Sequence, residues 1–327
     1  MMVIPLDSHI NLHRMFDNIK ALLESAVKKL VTDDYIFLDL PYYPNVGDVM
    51  IWEATLQLLK DIQYHCLYSC SVETYRKPHI NKSTILLFSG GGNFGDLWEK
   101  HQRFRHKVMA DFPENPVVQL PQSVWFEDKR KMYDDIQFYQ NHKAQITICL
   151  RDQQSFNIIS KNYPNVEPFL LPDLALALDI KKVLKRNNIR FQEGAGFLYF
   201  RRDDKEYVER DFNMSFDAEG DWPCRKQTLK WVHRLQKIMV RLERMHIPVH
   251  ERLKFHNFCY RYFIKNAYLC NGIQYLMPYK TIYASRLHAA VLGVLLGKQV
   301  FMIDNSYHKC SEVYNLWMND LPNIRMI

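Results

Sequence analysis

Short apolar runs that alternate with segments of helical periodicity constrain the fold of this 327-residue chain more than any other feature. Residues 34–40 form a compact apolar run that stops at Pro41, and residues 49–62 then have the helical spacing of apolar side chains. The same order of strand, turn and helix recurs at residues 83–112 and 144–163. Strands that alternate with helices are typical of a doubly wound parallel sheet, so the sequence predicts an α/β fold.

Local patterns predict individual elements. Apolar residues at helical spacing predict a helix over residues 1–30. The glycines of SGGGNFGDLW, residues 89–98, predict a tight turn from a strand into a helix, and LPQSVWF, residues 120–126, is interpreted as a loop that follows a strand. Residues 280–298 are interpreted as a helix and residues 299–306 as a strand.

A change of composition divides the chain. Residues 179–196 are basic and end in glycines, which predicts a boundary between an N-terminal α/β domain, residues 1–180, and a C-terminal α/β domain, residues 195–327. A chain of this length accommodates two such domains with a cleft between them. Whether the last helix returns to the N-terminal domain stays open.

The charge balance bounds the partners. The net charge of +7 favours anionic partners such as phosphorylated metabolites, and a solvated basic surface is an equal alternative. No basic block with interleaved aromatics resembles a nucleic-acid module, so no nucleic acid is expected. The aromatic segment 256–279 could face a partner subunit, a lipid or the core, of which the core is favoured. Homo-oligomer formation is left open.

Cysteine usage and hydropathy bear on the compartment. Seven scattered cysteines without a CxxC pair indicate a reducing compartment and predict no metal site. The N-terminus lacks the pattern of a signal peptide, and no run of 18 apolar residues is present. We therefore expect a cytoplasmic protein that, if it associates with a membrane, does so peripherally from the inner face.

The first candidate site lies in the loop ahead of residues 49–62. Asn45, Gly47 and Asp48 follow a predicted strand, and ligands bind at the carboxyl ends of parallel strands. Asp48 is a candidate catalytic carboxylate, or alternatively the N-cap of the following helix.

The glycine-rich segment carries a second, similar motif. Gly91 and Gly92 let the backbone approach a ligand closely, and Asn93 and Asp96 repeat the Asn-x-Gly-Asp spacing of the first loop. Two similar loops on neighbouring strands could face one cleft. The alternative is a tight turn without a ligand.

Two further strand ends supply polar groups. Gln122 and Ser123 can reach a ligand from residues 120–126. Arg151 follows a very apolar strand and can bind a carboxylate or phosphate through two parallel hydrogen bonds. Its alternative is an ion pair with Asp152 or with Asp173, and Asp173 could also orient it.

The last candidate begins a very apolar helix. Arg286 and His288 flank Leu287 at a predicted helix start, where amides and the helix dipole favour an anion. His288 adds a proton donor that titrates near neutral pH. The alternative is a capping cluster with a core histidine, but the combination favours a site that holds a small anion and moves a proton.

In this order the motifs resemble those of the polysaccharide pyruvyl transferase family. They cover most of the chain outside residues 203–280. The motifs are NVGDVMIWEA (45–54), FSGGGNFGDLW (88–98), LPQSVWF (120–126), RDQQS (151–155), LPDLAL (171–176) and SRLHAAVLGVLLGKQV (285–300).

The resemblance implies two Rossmann-like domains that face a cleft, as in GT-B glycosyltransferases. It implies a transferase that moves the pyruvyl group of phosphoenolpyruvate onto a sugar of a capsule, exopolysaccharide or other cell-surface polysaccharide, or onto its precursor, and so forms a pyruvate ketal. Phosphoenolpyruvate is then a co-substrate, and no cofactor or metal is implied. The saccharide acceptor could be lipid-linked, nucleotide-linked or polymeric.

The resemblance also assigns roles. Arg286, Leu287 and Arg151 would bind phosphoenolpyruvate, and His288 would give a proton to its enol carbon or to the leaving phosphate. Asp48, with Asp96 as second candidate, would take the proton of the sugar hydroxyl.

Two other classes stay open. In a GT-B-type glycosyltransferase of polysaccharide biosynthesis, Arg286 and His288 would hold the diphosphate of a nucleotide sugar, which uridine or guanosine nucleotides would reveal by binding. A non-catalytic scaffold of an assembly complex would be free to lose its polar loop residues, and all of them are present.

Overall fold

The computed structural model describes residues 6–203, 210, 212–223, 229–243, 248–304 and 309–327. In these residues the strands form two parallel sheets, which confirms the predicted parallel α/β organisation. Of the helix expected over residues 1–30, the part from Leu6 to Leu30 is present, and residues 1–5 lie outside the described residues.

The first sheet is built from residues 35–170. Its strands are β1 (Tyr35–Leu38), β2 (Cys66–Ser69), β3 (Ile85–Phe88), β4 (Gly91–Gly95), β5 (Val117–Trp125), β6 (Ile146–Leu150) and β7 (Val166–Leu170). They lie in the order β2-β1-β3-β5-β6-β7, with β4 paired to β5. The helices of this part are α1 (Leu6–Leu30), α2 (Val46–Leu59), α3 (Glu99–Asp111), α4 (Lys129–Gln140) and α5 (Gln153–Asn162).

The second sheet is built from residues 197–326. Its strands are β8 (Phe197–Phe200), β9 (Ala218–Gly220), β10 (Thr281–Ala284), β11 (Gln299–Met302) and β12 (Ile324–Met326), in the order β12-β11-β10-β8-β9. The helices are α6 (Ile180–Arg186), α7 (Lys230–Glu243), α8 (Val249–Cys259), α9 (Lys265–Leu276), α10 (Leu287–Leu295) and α11 (Lys309–Trp317). A π-helical turn, Tyr260–Ile264, joins α8 to α9. The predicted domain boundary near residues 180–195 stays a prediction.

The apolar runs become strands because both of their faces are covered. Every residue of β1, β3 and β6 is buried. Successive side chains point to opposite faces, so Ile36 and Leu38 join one apolar cluster while Tyr35 and Phe37 join the other. The second cluster continues through α2 and α9 to the strands of the second sheet. The two sheets are therefore joined by one continuous core.

Two segments that were interpreted as turn or loop are strands. Residues 91–95 form β4, which pairs with β5 through Gly91 and Gln122 and through Phe94 and Val124. Glycine makes this pairing possible, because Gly95 has φ 109° and an added Cβ would lie 1.8 Å from the Trp125 carbonyl oxygen. The interpretation of residues 120–126 as a loop is also wrong, because β5 continues to Trp125 and pairs there with β4.

The prediction of one helix over residues 280–298 is also wrong at its beginning. Thr281–Ala284 form β10, which pairs in parallel with β8 and β11, and the helix begins only at Leu287. A short run of β-branched and aromatic residues between two strands gains more from pairing than from helix formation. Arg286 therefore lies in the turn that follows the carboxyl end of β10.

Candidate active site

The loop between β1 and α2 places Asp48 in the first turn of a helix. Asn45 is the N-cap of α2, because its side-chain oxygen accepts a hydrogen bond from the Gly47 amide at 3.0 Å. The alternative in which Asp48 is the cap is therefore wrong. Asp48 Oδ2 instead accepts from Asn45 Nδ2 at 2.7 Å and from the Tyr43 hydroxyl at 2.9 Å. Asp48 Oδ1 faces Gly91, where an added Cβ would lie 3.6 Å away.

Tyr43 is a residue that the sequence analysis missed. Burial raises the pKa of Tyr43, and the carboxylates of Asp48 and Asp39 raise it further. The hydroxyl therefore stays protonated and donates to Asp48. With Oδ2 held by two donors, Oδ1 is the oxygen of Asp48 that faces the glycine-rich strand.

Gly47 brings helix α2 against His288 of α10. A Cβ added at Gly47 would lie 2.4 Å from His288 Nδ1 and 2.7 Å from its Cγ. Only glycine leaves room for the imidazole at this distance. The two motifs that were singled out at opposite ends of the chain therefore meet at one point.

The other ring nitrogen of His288 faces a buried ion pair. His288 Nε2 lies 3.3 Å from Asp173 Oδ2, and the same oxygen accepts from Arg151 Nη1 at 2.5 Å. Asp173 Oδ1 accepts from the Ala175 amide at 2.8 Å. A carboxylate behind an imidazole fixes the ring orientation. Asp173, Arg151 and His288 thus form a connected group, with Nδ1 of the histidine turned towards α2.

The charge of Asp173 is maintained by its partners. Burial alone would raise the pKa of the fully buried carboxyl, but His288 and Arg151 attract the charged form more strongly, so the pKa lies well below its usual range. The sequence alternative of an ion pair between Arg151 and Asp173 is confirmed, and so is the expected proximity that lets Asp173 orient the guanidinium.

Ser123 holds the inner side of Arg151. Its hydroxyl donates to Asp152 Oδ2 at 2.6 Å and accepts from Arg151 Nε at 2.8 Å. The Nη2 atom of Arg151 lies beside Gly92, where an added Cβ would approach it to 3.0 Å. The glycine-rich strand, β5 and the start of α5 therefore converge on one guanidinium.

Arg286 has a different partner. Its Nε donates to Asp221 Oδ1 at 2.5 Å and its Nη2 donates to Oδ2, so the pair is bidentate. Burial would raise the pKa of Asp221, but Arg286 holds it well below its usual range. Leu287, between Arg286 and His288, is buried in the core. Asp221 lies in the stretch 203–280, which offered no motif.

Asn93 of β4 and Gln122 of β5 are joined by two hydrogen bonds. Gln122 Oε1 accepts from the Asn93 amide at 3.2 Å, and Gln122 Nε2 donates to Asn93 Oδ1 at 3.1 Å. Arg105 binds Asn93 and, at 3.2 Å, the buried Asp39, which also lies 2.6 Å from His101 Nδ1. Sequence analysis missed this network. An aspartate inside the apolar run DYIFLDL was its only signal.

Asp96 does not lie with Asp48 but binds the backbone that follows β5. Its two carboxylate oxygens accept from the amides of Glu127 and Asp128 at distances from 2.8 to 3.0 Å. Asp96 thus closes the turn between β5 and α4, whereas Asp48 lies with Gly47 and Gly91. The similar spacing of the two motifs does not produce two similar sites.

A cavity of about 300 Å³ lies between the segment after β2 and helices α7 and α8. Its lining combines charged, polar and aromatic groups, among them Glu73, Arg76, Arg252, Phe255 and His256. Among the described residues no cluster of three or more His, Cys, Asp or Glu has the geometry of a metal site. None of the described helices combines the length and apolar character that a membrane span needs.

Comparison with known proteins identifies the family. The family model for polysaccharide pyruvyl transferase matches residues 45–307, an interval that begins at the N-cap of α2 and includes His288. The chain belongs to the polysaccharide pyruvyl transferase family. It is thus a member of a family of transferases.

Relatives of this family member extend over nearly the whole chain. EpsO of Bacillus subtilis, named as a candidate pyruvyl transferase, is 27% identical over 331 residues, which cover 98% of this chain and 96% of EpsO. Pyruvyl transferase 1 of Schizosaccharomyces pombe is 26% identical over 86% of this chain and 69% of its own length. An uncharacterised protein of Klebsiella pneumoniae of known crystal structure shares the fold, with a TM-score of 0.60, 22% identity and coverage of 95% of this chain and 98% of the other.

Proposed function

We propose that this pyruvyl transferase moves the pyruvyl group of phosphoenolpyruvate onto two hydroxyls of a sugar in a cell-surface polysaccharide or its precursor. The observation that carries the proposal is the contact of Gly47 with His288, since it brings a histidine backed by Asp173 to the helix turn that bears Asp48. One group can then give a proton beside another that can take one. The relatives named as pyruvyl transferases support the transferred group.

The reaction balances with these groups. The first sugar hydroxyl bonds to C2 of phosphoenolpyruvate and loses its proton to Asp48, while His288 delivers a proton to C3, which becomes a methyl group. The second hydroxyl then bonds to C2, the C2–O bond to phosphate breaks, and inorganic phosphate leaves with the remaining proton. Two C–O bonds and one C–H bond form, the C2–C3 π bond and the C2–O bond to phosphate break, and there is no net change in oxidation state, so no separate cofactor is proposed.

Two arginines suit the two charges of the donor. Arg151 and Arg286 are each oriented by a buried aspartate, and an oriented guanidinium loses less freedom when it binds a carboxylate or phosphate. In this proposal the donor lies between them, with His288 on the same side. Two parallel sheets of Rossmann-like order support the further proposal of a GT-B-like cleft. We also propose that the enzyme works in the cytoplasm, where phosphoenolpyruvate is available.

Thermal unfolding with phosphoenolpyruvate tests the donor. A ligand that binds only the native state at 100 times its Kd adds about 2.7 kcal/mol, which raises Tm visibly. We expect this rise with phosphoenolpyruvate in the wild type and its loss in Arg151→Lys and Arg286→Lys. The control Arg130→Lys, in an exposed position on α4, should keep it. A rise only with nucleotide sugars would overturn the proposal in favour of a glycosyltransferase.

A further inference from the structure

Helices α7 and α8 and the following π-helical turn concentrate the positive charge of the protein. Residues 229–264 contain eight lysines and arginines and two glutamates, a net charge of +6 out of +7 for the whole chain. We refer to residues 229–264 as the α7–α8 segment. The basic residues are spaced along the segment, so no short basic block marks them in the sequence. The remaining 291 residues are close to neutral.

The same segment exposes large apolar side chains. Of the seventeen large hydrophobic side chains that are exposed in the described part of the chain, eight belong to it, each 40% to 55% exposed. They are Trp231, Ile238, Val240, Val249, Phe255, Phe258, Tyr262 and Phe263. The prediction that the aromatic segment 256–279 lies in the core holds for Tyr260 and Tyr268, which are buried, and is wrong for the outward-facing Phe258, Tyr262 and Phe263.

Apolar and basic residues share the outward faces of both helices. On α7, Trp231, Arg234, Ile238 and Arg241 recur at helical spacing and are all exposed, while Val232 and Met239 on the opposite face are buried. The exposed face of α7 therefore presents aromatic and aliphatic side chains interspersed with positively charged groups.

The outward face of α8 and of the following π-helical turn has the same character. Lys254, Phe255, Phe258, Arg261 and Tyr262 are exposed at spacings of one, three, three and one residues, and the Arg261 guanidinium stacks on the Tyr262 ring at 5.7 Å. Lys254 Nζ forms an ion pair with Glu251 Oε1 at 3.1 Å, and Glu251 is one of the two acidic residues of the segment. The positive excess of the whole surface therefore comes mainly from Arg261 and from the basic residues of α7.

We propose that the α7–α8 segment docks the enzyme onto an anionic lipid membrane. Aromatic rings favour the headgroup level of a bilayer, aliphatic side chains favour the layer below, and lysine and arginine are attracted to acidic headgroups. Nucleic acid would use the charges but would leave Ile238, Val240 and Val249 in water. A two-fold contact between copies would set two basic surfaces against each other, which opposes association.

Docking through this surface brings a cavity to the membrane. Phe255 is 40% exposed and also lines the cavity of about 300 Å³ between the segment after β2 and helices α7 and α8. The proposal concerns the surface and does not depend on the donor or on the reaction. Its failure therefore leaves the proposed function standing, and the converse holds as well.

Sedimentation of the full chain with lipid vesicles tests the surface. We expect binding to phosphatidylcholine vesicles that contain phosphatidylglycerol and about tenfold weaker binding to phosphatidylcholine alone, with further weakening at high salt. The variant Trp231→Ser, Phe258→Ser, Tyr262→Ser and the variant Lys230→Gln, Arg234→Gln, Lys237→Gln should each reduce binding about tenfold. Circular dichroism melting of each variant checks that it folds.

Helix α4 supplies the matched control. The variant Lys129→Gln, Arg130→Gln, Tyr133→Ser removes two exposed basic residues and a tyrosine that is 61% exposed, and it should bind vesicles like the wild type. Equal binding to both vesicle types, or an equal loss in this control, would overturn the proposal. So would self-association without vesicles that the aromatic variant abolishes, because the surface would then be an interface between copies.

Discussion

At the scale of single residues, His288 is the side chain on which the proposed proton transfer depends. The side chain is half-buried, with Nε2 in contact with Asp173 and Nδ1 packed against Gly47. We predict that His288→Ala lowers turnover about 100-fold or more, the usual size of a general acid or base contribution, while Tm changes little. Phosphate release in the presence of phosphoenolpyruvate and acceptor measures the turnover.

A second histidine provides the comparison for this variant. His250 is 69% exposed and lies on α8, outside the group formed by His288, Asp173 and Arg151. His250→Ala should therefore leave phosphate release unchanged. Near-normal turnover in His288→Ala would remove the histidine from the mechanism.

The contact of Gly47 with the His288 ring provides a second test of the histidine. Gly47→Ala adds a methyl group 2.4 Å from His288 Nδ1, so the imidazole must move, although alanine itself favours the helix. We predict a loss of kcat of about 100-fold, as expected for a reacting group displaced by about 1 Å. Gly297→Ala is the control: at φ 68° it strains the backbone and lowers stability, but nothing lies within 4 Å of the added Cβ, so kcat should stay unchanged. Unchanged kcat in Gly47→Ala would mean that the contact has no catalytic consequence.

Single functional residues could be predicted from the sequence only where their immediate neighbours make them stand out. Arg286 and His288 stand out because charged groups interrupt a very apolar run. Asp221, the bidentate partner of Arg286, has no such context, because it follows a three-residue strand whose register only the assembled sheet defines. Asp96 was misleading for the same reason: its spacing repeats that of Asp48, but pairing of β4 with β5 turns it to the amides of residues 127 and 128.

At the scale of elements, apolar runs predicted β1, β3 and β6, which are buried on both faces, but did not predict β10. They could not predict β2, whose four residues are all exposed or half-buried at the sheet edge, or β4, whose glycines have no strand preference. Pairing with β5 makes β4 a strand. Such a contribution comes from tertiary contacts and is absent from any local window.

The packing of α9 on α2 is a testable property of elements. Gly272 of α9 lies against Val46 at the start of α2, where an added Cβ would be 2.5 Å from Val46 Cγ1. We predict that Gly272→Ala lowers the free energy of unfolding by about 1 to 3 kcal/mol through overpacking. Urea unfolding followed by circular dichroism measures the loss.

A double-mutant cycle separates overpacking from other effects. Val46→Ala removes the methyl groups that the new Cβ would strike, so the double variant should be more stable than the sum of the two single losses allows, by about 0.5 kcal/mol or more. Additive losses would show that the two side chains do not compete for space. The control Gly293→Ala meets Val300 and Ile282 instead, so Val46→Ala should not relieve it.

At the scale of the whole molecule, one buried ion-pair group ties α2 to the elements that follow the first sheet. Glu53 of α2 binds Lys265 of α9 and accepts from Arg186 of α6 at 2.8 Å. The side chains of Glu53 and Lys265 are 3% and 6% exposed, whereas that of Arg186 is 45% exposed. We predict that Glu53→Gln lowers the free energy of unfolding by about 3 to 5 kcal/mol, because it leaves the Lys265 charge buried without its partner.

Exposure ranks the variants of this group. Arg186→Gln should lower the free energy of unfolding by less than about 1 kcal/mol, since solvent screens a half-exposed guanidinium. Glu114→Gln, which removes an exposed pair with Lys82, is the control and should be close to neutral. Equal losses in Glu53→Gln and Glu114→Gln would show that burial does not govern the contribution of Glu53.

The same group sets a pH dependence for the joined core. Burial alone would raise the pKa of Glu53, but Lys265 and Arg186 lower it below the ordinary value of about 4.3. A carboxyl whose pKa is depressed by folding stabilises the protein above its unfolded pKa, and this contribution is lost as pH falls through the folded pKa. Burial lowers the pKa of Lys265 despite Glu53, yet this amine stays protonated in acid. The pKa of Asp173 is also lowered by folding, so Asp173 contributes to stability with the same dependence on pH as Glu53.

We therefore predict that wild-type stability falls below about pH 4.5 and that Glu53→Gln flattens this fall, as urea unfolding at successive pH values would measure. An unchanged slope would assign the acid sensitivity to Asp173 and the other carboxylates.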